Sequence, residues 1–425
     1  MRRPWRPMSS PCARYLRKSF LTTPRTIWRK RLTSRSIFLS MGVIFLPPRQ
    51  TSARDSMRAD KLRRGLSWTL YALALAAVFE GVSRLALSSP AFLGRVAAND
   101  DPSWRLRWVA SHGATGRLQY EIDEWHPRRG WALKPNLRDV PVQRGKTLSS
   151  NSRGVRGRRE HGDAKAAGVT RILVLGDSFT FGEDVGDDET YSHHLGEMLP
   201  RAEVINLGVH GYGHDQMLIY LQEEIGRYRP HVVILGFLTG DMERNVLSFR
   251  DYAKPRFVLE GGRLALRNSP VPAPGETASR EKWRSKFADV VSMLWLRYRW
   301  KSGAIPEETR EPTLAILDEM KETIERAGAR PAFAYLPAYG EIDRTDPGMT
   351  GQERFFFSYC RRRGIQSMYL RPYFLAKLKD GVTFKTQGHW GPLEHRTAAE
   401  GIRAYLVDKN LLSGNTAERH VEGGL

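Results

Sequence analysis

The chain has 425 residues, of which 41% are hydrophobic, and a formal net charge of +21. This length and hydrophobic content allow one large α/β domain with additional segments, and they exclude a largely disordered protein. The positive charge favours at first a nucleic-acid-binding protein. However, residues 1–56 alone carry a net charge of +12 and the remaining 369 residues only +9. More than half of the excess lies in one short arm, so we expect no nucleic-acid partner.

The arm of residues 1–56 shows neither a helical nor a strand period. At Met57 a different pattern begins, with a charged segment at 57–64 followed by an apolar run, as in an export signal or a membrane anchor. We interpret Met57 as the start of translation and the arm as an artefact of the gene model. The alternative is a basic arm that binds nucleic acid or anionic lipid.

The apolar run predicts a membrane helix. Residues 65–79 contain no charged residue, and the run reaches 23 residues when it is extended to residue 87, which is long enough to span a bilayer. Glu80 and Arg84 interrupt its far end but lie four residues apart, so they could pair on one face of a helix. The cations of 57–64 predict a cytoplasmic N-terminus and an extracytoplasmic domain after residue 87. The alternative to this uncleaved anchor is a cleaved signal peptide.

After a predicted polar linker at 88–120, residues 121–410 are predicted to form a single α/β domain, followed by a flexible tail at 411–425. Short strands and turns are expected at its start, and a buried Cys360 in its core. The domain has five apolar strand-like runs, at residues 171–175, 202–207, 231–237, 331–336 and 365–370. Since helical patterns alternate with these runs, we predict a parallel five-stranded sheet covered by helices on both faces.

An insertion at 246–310 separates the third predicted strand from the fourth. It contains a predicted helix with one apolar stripe, which we interpret as a packing face and which comprises Phe287, Val290, Val291, Leu294, Trp295 and Tyr298. Because the insertion follows a strand end, where ligands bind in open parallel sheets, we expect it to cap the functional site.

The loops after the predicted strands carry candidate chemical groups. Ser178 follows the first strand, a glycine-rich loop with Gly211 follows the second, and His389 precedes the last helix. Serine needs a base to become a nucleophile, histidine has a suitable pKa, and a glycine N–H can bind an oxyanion. The glycine-rich loop lacks the lysine and the spacing of a nucleotide-binding loop. His193, His194, His210 and His214 show no metal-ligand spacing, so no metal and no cofactor is predicted.

The loop sequences resemble the SGNH/GDSL hydrolase superfamily, in its membrane-anchored bacterial form. The resemblance covers roughly residues 120–410 and is most specific in the sequence LGDSFTFG around Ser178. It implies a flavodoxin-like, three-layer α/β/α fold with Ser178 as nucleophile and His389 as base. It also implies an oxyanion hole formed by the N–H groups of Ser178 and Gly211.

Two positions depart from the family pattern. Gly240 stands in the third oxyanion position, where the family usually has an asparagine, and Gln387 stands where the family has an aspartate before the histidine. A Gln387 carbonyl could orient the His389 ring but could not stabilise its positive charge. In serine proteases, the neutral replacement of this acid lowers kcat on the order of 10⁴-fold, and the loss of one oxyanion donor costs on the order of 10²–10³-fold.

Two classes of function therefore remain open. The first is an extracytoplasmic serine esterase or O-acyl transferase that acts on acyl esters, for example of envelope or exported polysaccharide. The second is a catalytically degenerate member that binds a glycan or a protein partner without turnover. The composition and the motifs do not name the acyl group, the acceptor or the oligomeric state.

Overall fold

The computed structural model describes residues 53–338, 340–385 and 388–412. Residues 1–52 of the predicted arm and 413–425 of the predicted tail lie outside the described residues. The helices are α1 (Ala53–Leu87), α2 (Pro90–Val96), α3 (Asp101–His112), α4 (Ser178–Phe181), α5 (Tyr191–Met198), α6 (His214–Tyr228), α7 (Asp241–Arg244), α8 (Pro274–Glu281), α9 (Lys286–Lys301), α10 (Ala304–Arg326), α11 (Gly351–Arg363), α12 (Arg371–Lys379) and α13 (Pro392–Asp408). The strands are β1 (Asp123–His126), β2 (Gly130–Leu133), β3 (Val140–Pro141), β4 (Thr147–Leu148), β5 (Thr170–Gly176), β6 (Ala202–Gly208), β7 (Val232–Phe237), β8 (Phe249–Arg250), β9 (Tyr252–Ala253), β10 (Arg256–Glu260), β11 (Arg263–Arg267), β12 (Arg330–Tyr335) and β13 (Gln366–Tyr369).

Five of these strands form one parallel sheet in the order β13-β12-β7-β5-β6. Counted along the chain and read from the β6 edge, this is the order 2-1-3-4-5 of flavodoxin-like folds. Each strand begins and ends within one residue of the predicted run. The predicted five-stranded parallel sheet is therefore confirmed.

The two faces of the sheet are covered by different helices. Successive side chains of a strand point to opposite faces, so Leu173 and Leu175 pack with α6, α10 and α11, whereas Ile172 and Val174 pack with α5, α12 and α13. Both sets are buried, which explains why β5 is a continuous apolar run. The predicted three layers are confirmed, and Cys360 of α11 is buried within one of them, as expected.

The segment 88–120 is not a linker, in contrast to the prediction. It forms α2 and α3, and the side chain of Trp108 is buried in the core of the domain. Arg105 of α3 makes two buried ion pairs of 2.5 Å, one with Glu281 and one with Asp289. These partners are remote in the sequence, so the polar residues of this segment gave no sign that they would be buried.

The helix α1 contains the predicted apolar run. Among the described residues, it is the one helix long and apolar enough to cross a membrane, over Asp60–Leu87. A signal sequence can have the same length and composition. Glu80 and Arg84 pair at 2.8 Å, as their spacing predicts.

The insertion at 246–310 forms β8 to β11, α8, α9 and the start of α10. The prediction that the stripe on α9 is a packing face is wrong for four of its six members, since Val291, Leu294, Trp295 and Tyr298 are exposed. Val290 is half-buried, and Phe287, although 40% exposed, stacks on Phe79 of α1. The helix packs through the opposite side instead, where Asp289 and Met293 are buried. A helical period identifies a continuous apolar face but does not identify what covers it.

Candidate active site

Ser178 lies at the carboxyl end of β5, directly after the turn that ends the strand. Asp177 precedes the short helix α4, and its Oδ1 accepts a hydrogen bond of 3.0 Å from the N–H of Phe179. The helix ends at Gly182, which has φ +85°. The neighbours of β5 in the sheet are β6 and β7, so Ser178 is at the topological switch point, where open α/β sheets bind their ligands.

His389 meets Ser178 across the sheet edge. The Nε2 atom of His389 lies 2.8 Å from Ser178 Oγ, although 211 positions separate the two residues in the chain. Gly388 holds the preceding turn with φ +77°, which favours glycine. On the other side, Trp390 is buried, and its indole N–H donates to the carbonyl of Pro337 at 3.1 Å. The backbone is therefore held on both sides of the imidazole.

Glu183 brings a carboxylate to the same imidazole nitrogen. Its Oε2 is 3.4 Å from His389 Nε2, and its Oε1 accepts a hydrogen bond of 3.2 Å from the Gln143 side chain. The sequence prediction did not include this residue. Its position directly after the LGDSFTFG motif was a signal that it belongs to the site, but only the structure shows that it turns towards His389.

An ion pair joins the loop of Ser178 to the loop of His389. Lys385 Nζ lies 2.5 Å from Asp184 Oδ2 and donates to the backbone carbonyl of His389 at 2.6 Å. Asp184 is almost completely buried and also pairs with Arg144 Nε at 2.8 Å. These contacts fix the position of the His389 loop relative to the Ser178 loop.

Arg244 joins the loops that follow β5, β6 and β7. Its Nη1 contacts Asp177 Oδ2 at 3.0 Å, the Tyr212 carbonyl at 2.8 Å and Asp241 Oδ1 at 2.6 Å. Burial and the neighbouring Asp177 carboxylate raise the pKa of Asp241 well above its ordinary value. The sequence analysis did not identify Arg244, because a lone arginine carries no motif.

The predicted oxyanion residues have different surroundings. Gly211 has φ +74°, and a Cβ there would lie 2.5 Å from the Asp251 carboxylate, so the position needs glycine. Asp251 belongs to the insertion 246–310, so the insertion contacts the Gly211 loop. The role of the insertion as a cap stays a prediction.

Gly240 is exposed at the start of α7 and has no side chain that could donate a hydrogen bond. Gln387 lies outside the described residues. The proposed roles of Gly211, Gly240 and Gln387 therefore stay predictions.

His210 and His214, two of the four histidines without metal-ligand spacing, make structural contacts. His210 Nε2 is 2.9 Å from Asp123 Oδ1, and both side chains are buried. His214 stacks on Phe237 with ring centroids 4.9 Å apart, and burial lowers its pKa to about 3. Within the described ranges, no group of three or more metal-binding side chains is present.

A pocket of about 390 Å³ lies beside the His389 loop. Five charged residues contribute to its lining, namely Arg144, Lys146, Asp184, Lys385 and Glu394, but most of the lining surface is apolar. A group that enters this pocket would meet charged side-chain ends as well as apolar side-chain surface.

Several solved structures are similar to this chain. A putative GDSL-family lipolytic protein from Desulfitobacterium hafniense is 14% identical with a TM-score of 0.34, and the match covers 56% of this chain and 99% of that one. A GDSL-family member from Veillonella parvula is 12% identical (TM-score 0.33, covering 56% and 97%). An acetylxylan esterase from Geobacillus stearothermophilus, solved as a catalytic mutant, is 10% identical (TM-score 0.33, covering 57% and 96%). No family model and no curated protein matches the chain.

Proposed function

We propose that this chain is a serine esterase or O-acyl transferase that is anchored in the cytoplasmic membrane and acts outside it. Ser178 is the nucleophile and His389 is the general base. The observation that carries this proposal is the 2.8 Å distance between Ser178 Oγ and His389 Nε2 at the switch point of the sheet. A hydroxyl within hydrogen-bond distance of an imidazole is the arrangement that nucleophilic catalysis requires.

In the proposed reaction, Ser178 Oγ attacks the carbonyl carbon of an acyl ester while His389 Nε2 takes the hydroxyl proton. The carbonyl oxygen becomes an oxyanion, for which the N–H groups of Ser178 and Gly211 are the proposed donors. The tetrahedral intermediate collapses, and the leaving alcohol takes the proton from His389. Water or a sugar hydroxyl then attacks the acyl-serine by the same steps, which gives hydrolysis or transfer.

The positive charge that forms on His389 needs a counter-charge, and Glu183 is the proposed source. Once protonated, Nε2 has a carboxylate oxygen 3.4 Å away, which is close enough for a direct Coulomb attraction. This carboxylate supplies the charge that a glutamine at position 387 cannot. Gln387 is left with the proposed role of orienting the ring through its carbonyl.

A polar acceptor is proposed on account of the pocket beside His389. Five charged side chains line this pocket of about 390 Å³ together with apolar surface, and apolar stems with charged ends suit the ring and the hydroxyl groups of a sugar. An acyl ester on an envelope or exported polysaccharide is therefore the proposed substrate class.

The proposal is tested with a fluorophosphonate probe and with p-nitrophenyl acetate. The purified full chain should become covalently labelled and release p-nitrophenol, and Ser178→Ala should abolish both. Ser192→Ala is the matched control, since Ser192 is also a buried helical serine but belongs to α5, and it should retain both activities. Turnover by Ser178→Ala equal to that of the wild type would disprove the assignment of the nucleophile.

A further inference from the structure

The helix α9 exposes a continuous apolar face. Its residues follow the spacing i, i+4, i+7, i+8 and i+11, which places them on one side of a helix; they are Phe287, Val291, Leu294, Trp295 and Tyr298. Trp283, just before the helix, is 89% exposed. An apolar face of this kind on a folded domain marks an interaction surface.

This apolar face, which we call the α9 stripe, is continuous with α1. Phe79 of α1 stacks on Phe287 with ring centroids 5.2 Å apart. Glu80 accepts hydrogen bonds from the backbone N–H groups of Lys286 at 3.0 Å and Phe287 at 3.1 Å, so it caps the N-terminus of α9. The start of α9 is thus bound to α1 at the point where the uncharged run 65–79 ends.

A groove of about 420 Å³ opens between the two helices. Its lining surface is largely apolar, with Ala76, Ala77, Trp283 and Phe287, and also includes Glu80, Arg84 and Ser285. An acyl chain can pack against the apolar part of this lining.

We propose that the α9 stripe lies on the outer surface of the same bilayer that α1 spans, and that its partner is lipid. The proposal rests on the proposed anchoring by α1, and it places Phe79 and Glu80 at the outer interface, where the uncharged run 65–79 ends. Tryptophan and tyrosine favour the membrane interface, because their rings have an apolar body and a polar edge. Exposed Arg284, Arg297 and Lys301 accompany the stripe, as expected for a helix on an anionic lipid surface.

This contact would hold the folded domain against the membrane surface, whereas attachment through α1 alone would leave the domain free to change its orientation. The face of α9 opposite to the stripe is fastened to the domain, since Asp289 pairs with Arg105 of α3 at 2.5 Å and Met293 is buried. A lipid contact through the stripe is therefore transmitted directly to the folded domain.

The test is the depth of nitroxide labels in the full chain, reconstituted in vesicles of phosphatidylcholine and phosphatidylglycerol. Trp295→Cys and Tyr298→Cys are labelled in a Cys12→Ser background. Cys360 stays unlabelled, because it is buried and burial raises its thiol pKa to about 12. We expect labels on the stripe to collide several-fold less often with a water-soluble nickel chelate, and more often with oxygen, than a label at Val407→Cys.

Val407 is the matched control, because it is an equally exposed apolar residue on α13. A label at Leu73→Cys in α1 reports anchoring separately. If Leu73 reports a deep position but both stripe labels collide like Val407, the stripe proposal is wrong while the anchor stands. If Leu73 also reports water, both are wrong. Spin–spin coupling between stripe labels with shielding from both quenchers would assign the face to a second copy of the chain, and would overturn the lipid partner.

Discussion

At the scale of single residues, the Nε2 atom of His389 faces two oxygen atoms. Ser178 Oγ is 2.8 Å away and Glu183 Oε2 is 3.4 Å away. The first can give up a proton and the second can stabilise the charge that results. The geometry thus places a carboxylate of the serine loop beside the nitrogen that is proposed to take the proton, at a site where Gln387 stands in place of the acid that the family resemblance implies.

Glu183→Gln is predicted to lower kcat by about 10- to 100-fold with little change in KM. The carboxylate interacts with a charge that develops only in the transition state, so substrate binding is not affected. The loss is smaller than the roughly 10⁴-fold that follows neutralisation of a triad aspartate, because the 3.4 Å contact is longer than a strong hydrogen bond. The measurement is the steady-state hydrolysis of p-nitrophenyl acetate.

Glu197→Gln is the control for this prediction. Glu197 also lies beside histidines, at 3.5 Å from His193 and 3.3 Å from His194, but these belong to the surface of α5. Its kcat should equal that of the wild type. A wild-type kcat for Glu183→Gln would show that this carboxylate does not stabilise the imidazolium.

At the scale of elements, the site depends on loops that follow different strands and are fastened to one another. Lys385 and Asp184 join the His389 loop to the Ser178 loop, and Arg244 joins the loops after β5, β6 and β7. The strands place the loops at one edge, and these ion pairs set the distances between the side chains at that edge. A displacement of about 1 Å in such a site costs on the order of 10²-fold in rate.

Lys385→Met is predicted to slow labelling by a fluorophosphonate probe about 10- to 100-fold. Methionine keeps most of the side-chain length but cannot bind Asp184 or the His389 carbonyl, so the His389 loop loses two contacts. Lys377→Met is the control, since it removes a more exposed lysine whose Nζ is 3.3 Å from Glu400. Equal labelling rates for the two variants would show that the loop keeps its position without the pair.

At the scale of the whole molecule, the chain combines a long apolar helix with a three-layer α/β/α domain. The helix precedes the domain, and the cations of 57–64 precede its apolar run. From the positive-inside rule we predict that these cations lie in the cytoplasm and the domain outside it. The proposed substrate class depends on this orientation, because envelope polysaccharides are met only on the far side of the membrane.

An alkaline phosphatase fused after residue 100 is predicted to be active outside the cytoplasm. Phosphatase folds productively only after export, because its disulfides need an oxidising compartment. The same fusion with residues 65–79 deleted is the control and should be inactive. An inactive fusion that keeps 65–79 would contradict the proposed topology, and the extracytoplasmic function would fail with it.

How much could be predicted from the sequence depended on how local each signal was. The five strands of the sheet were predicted to within one residue, because a strand buried on both faces is a continuous apolar run. Ser178 and His389 were singled out because strand ends of a parallel sheet meet at one edge. Segment 88–120 was misread, since its burial depends on partners such as Glu281 that are remote in the sequence.

The sequence by itself thus determined the sheet, its helix layers, the apolar helix and the two principal residues of the candidate site. Only the tertiary structure decided that Glu183 faces His389 Nε2, that Arg244 joins three loops, and that the α9 stripe is exposed beside α1. The reason is physical: periodicity reports which side of an element is apolar, whereas a contact between side chains depends on where the rest of the chain places both partners.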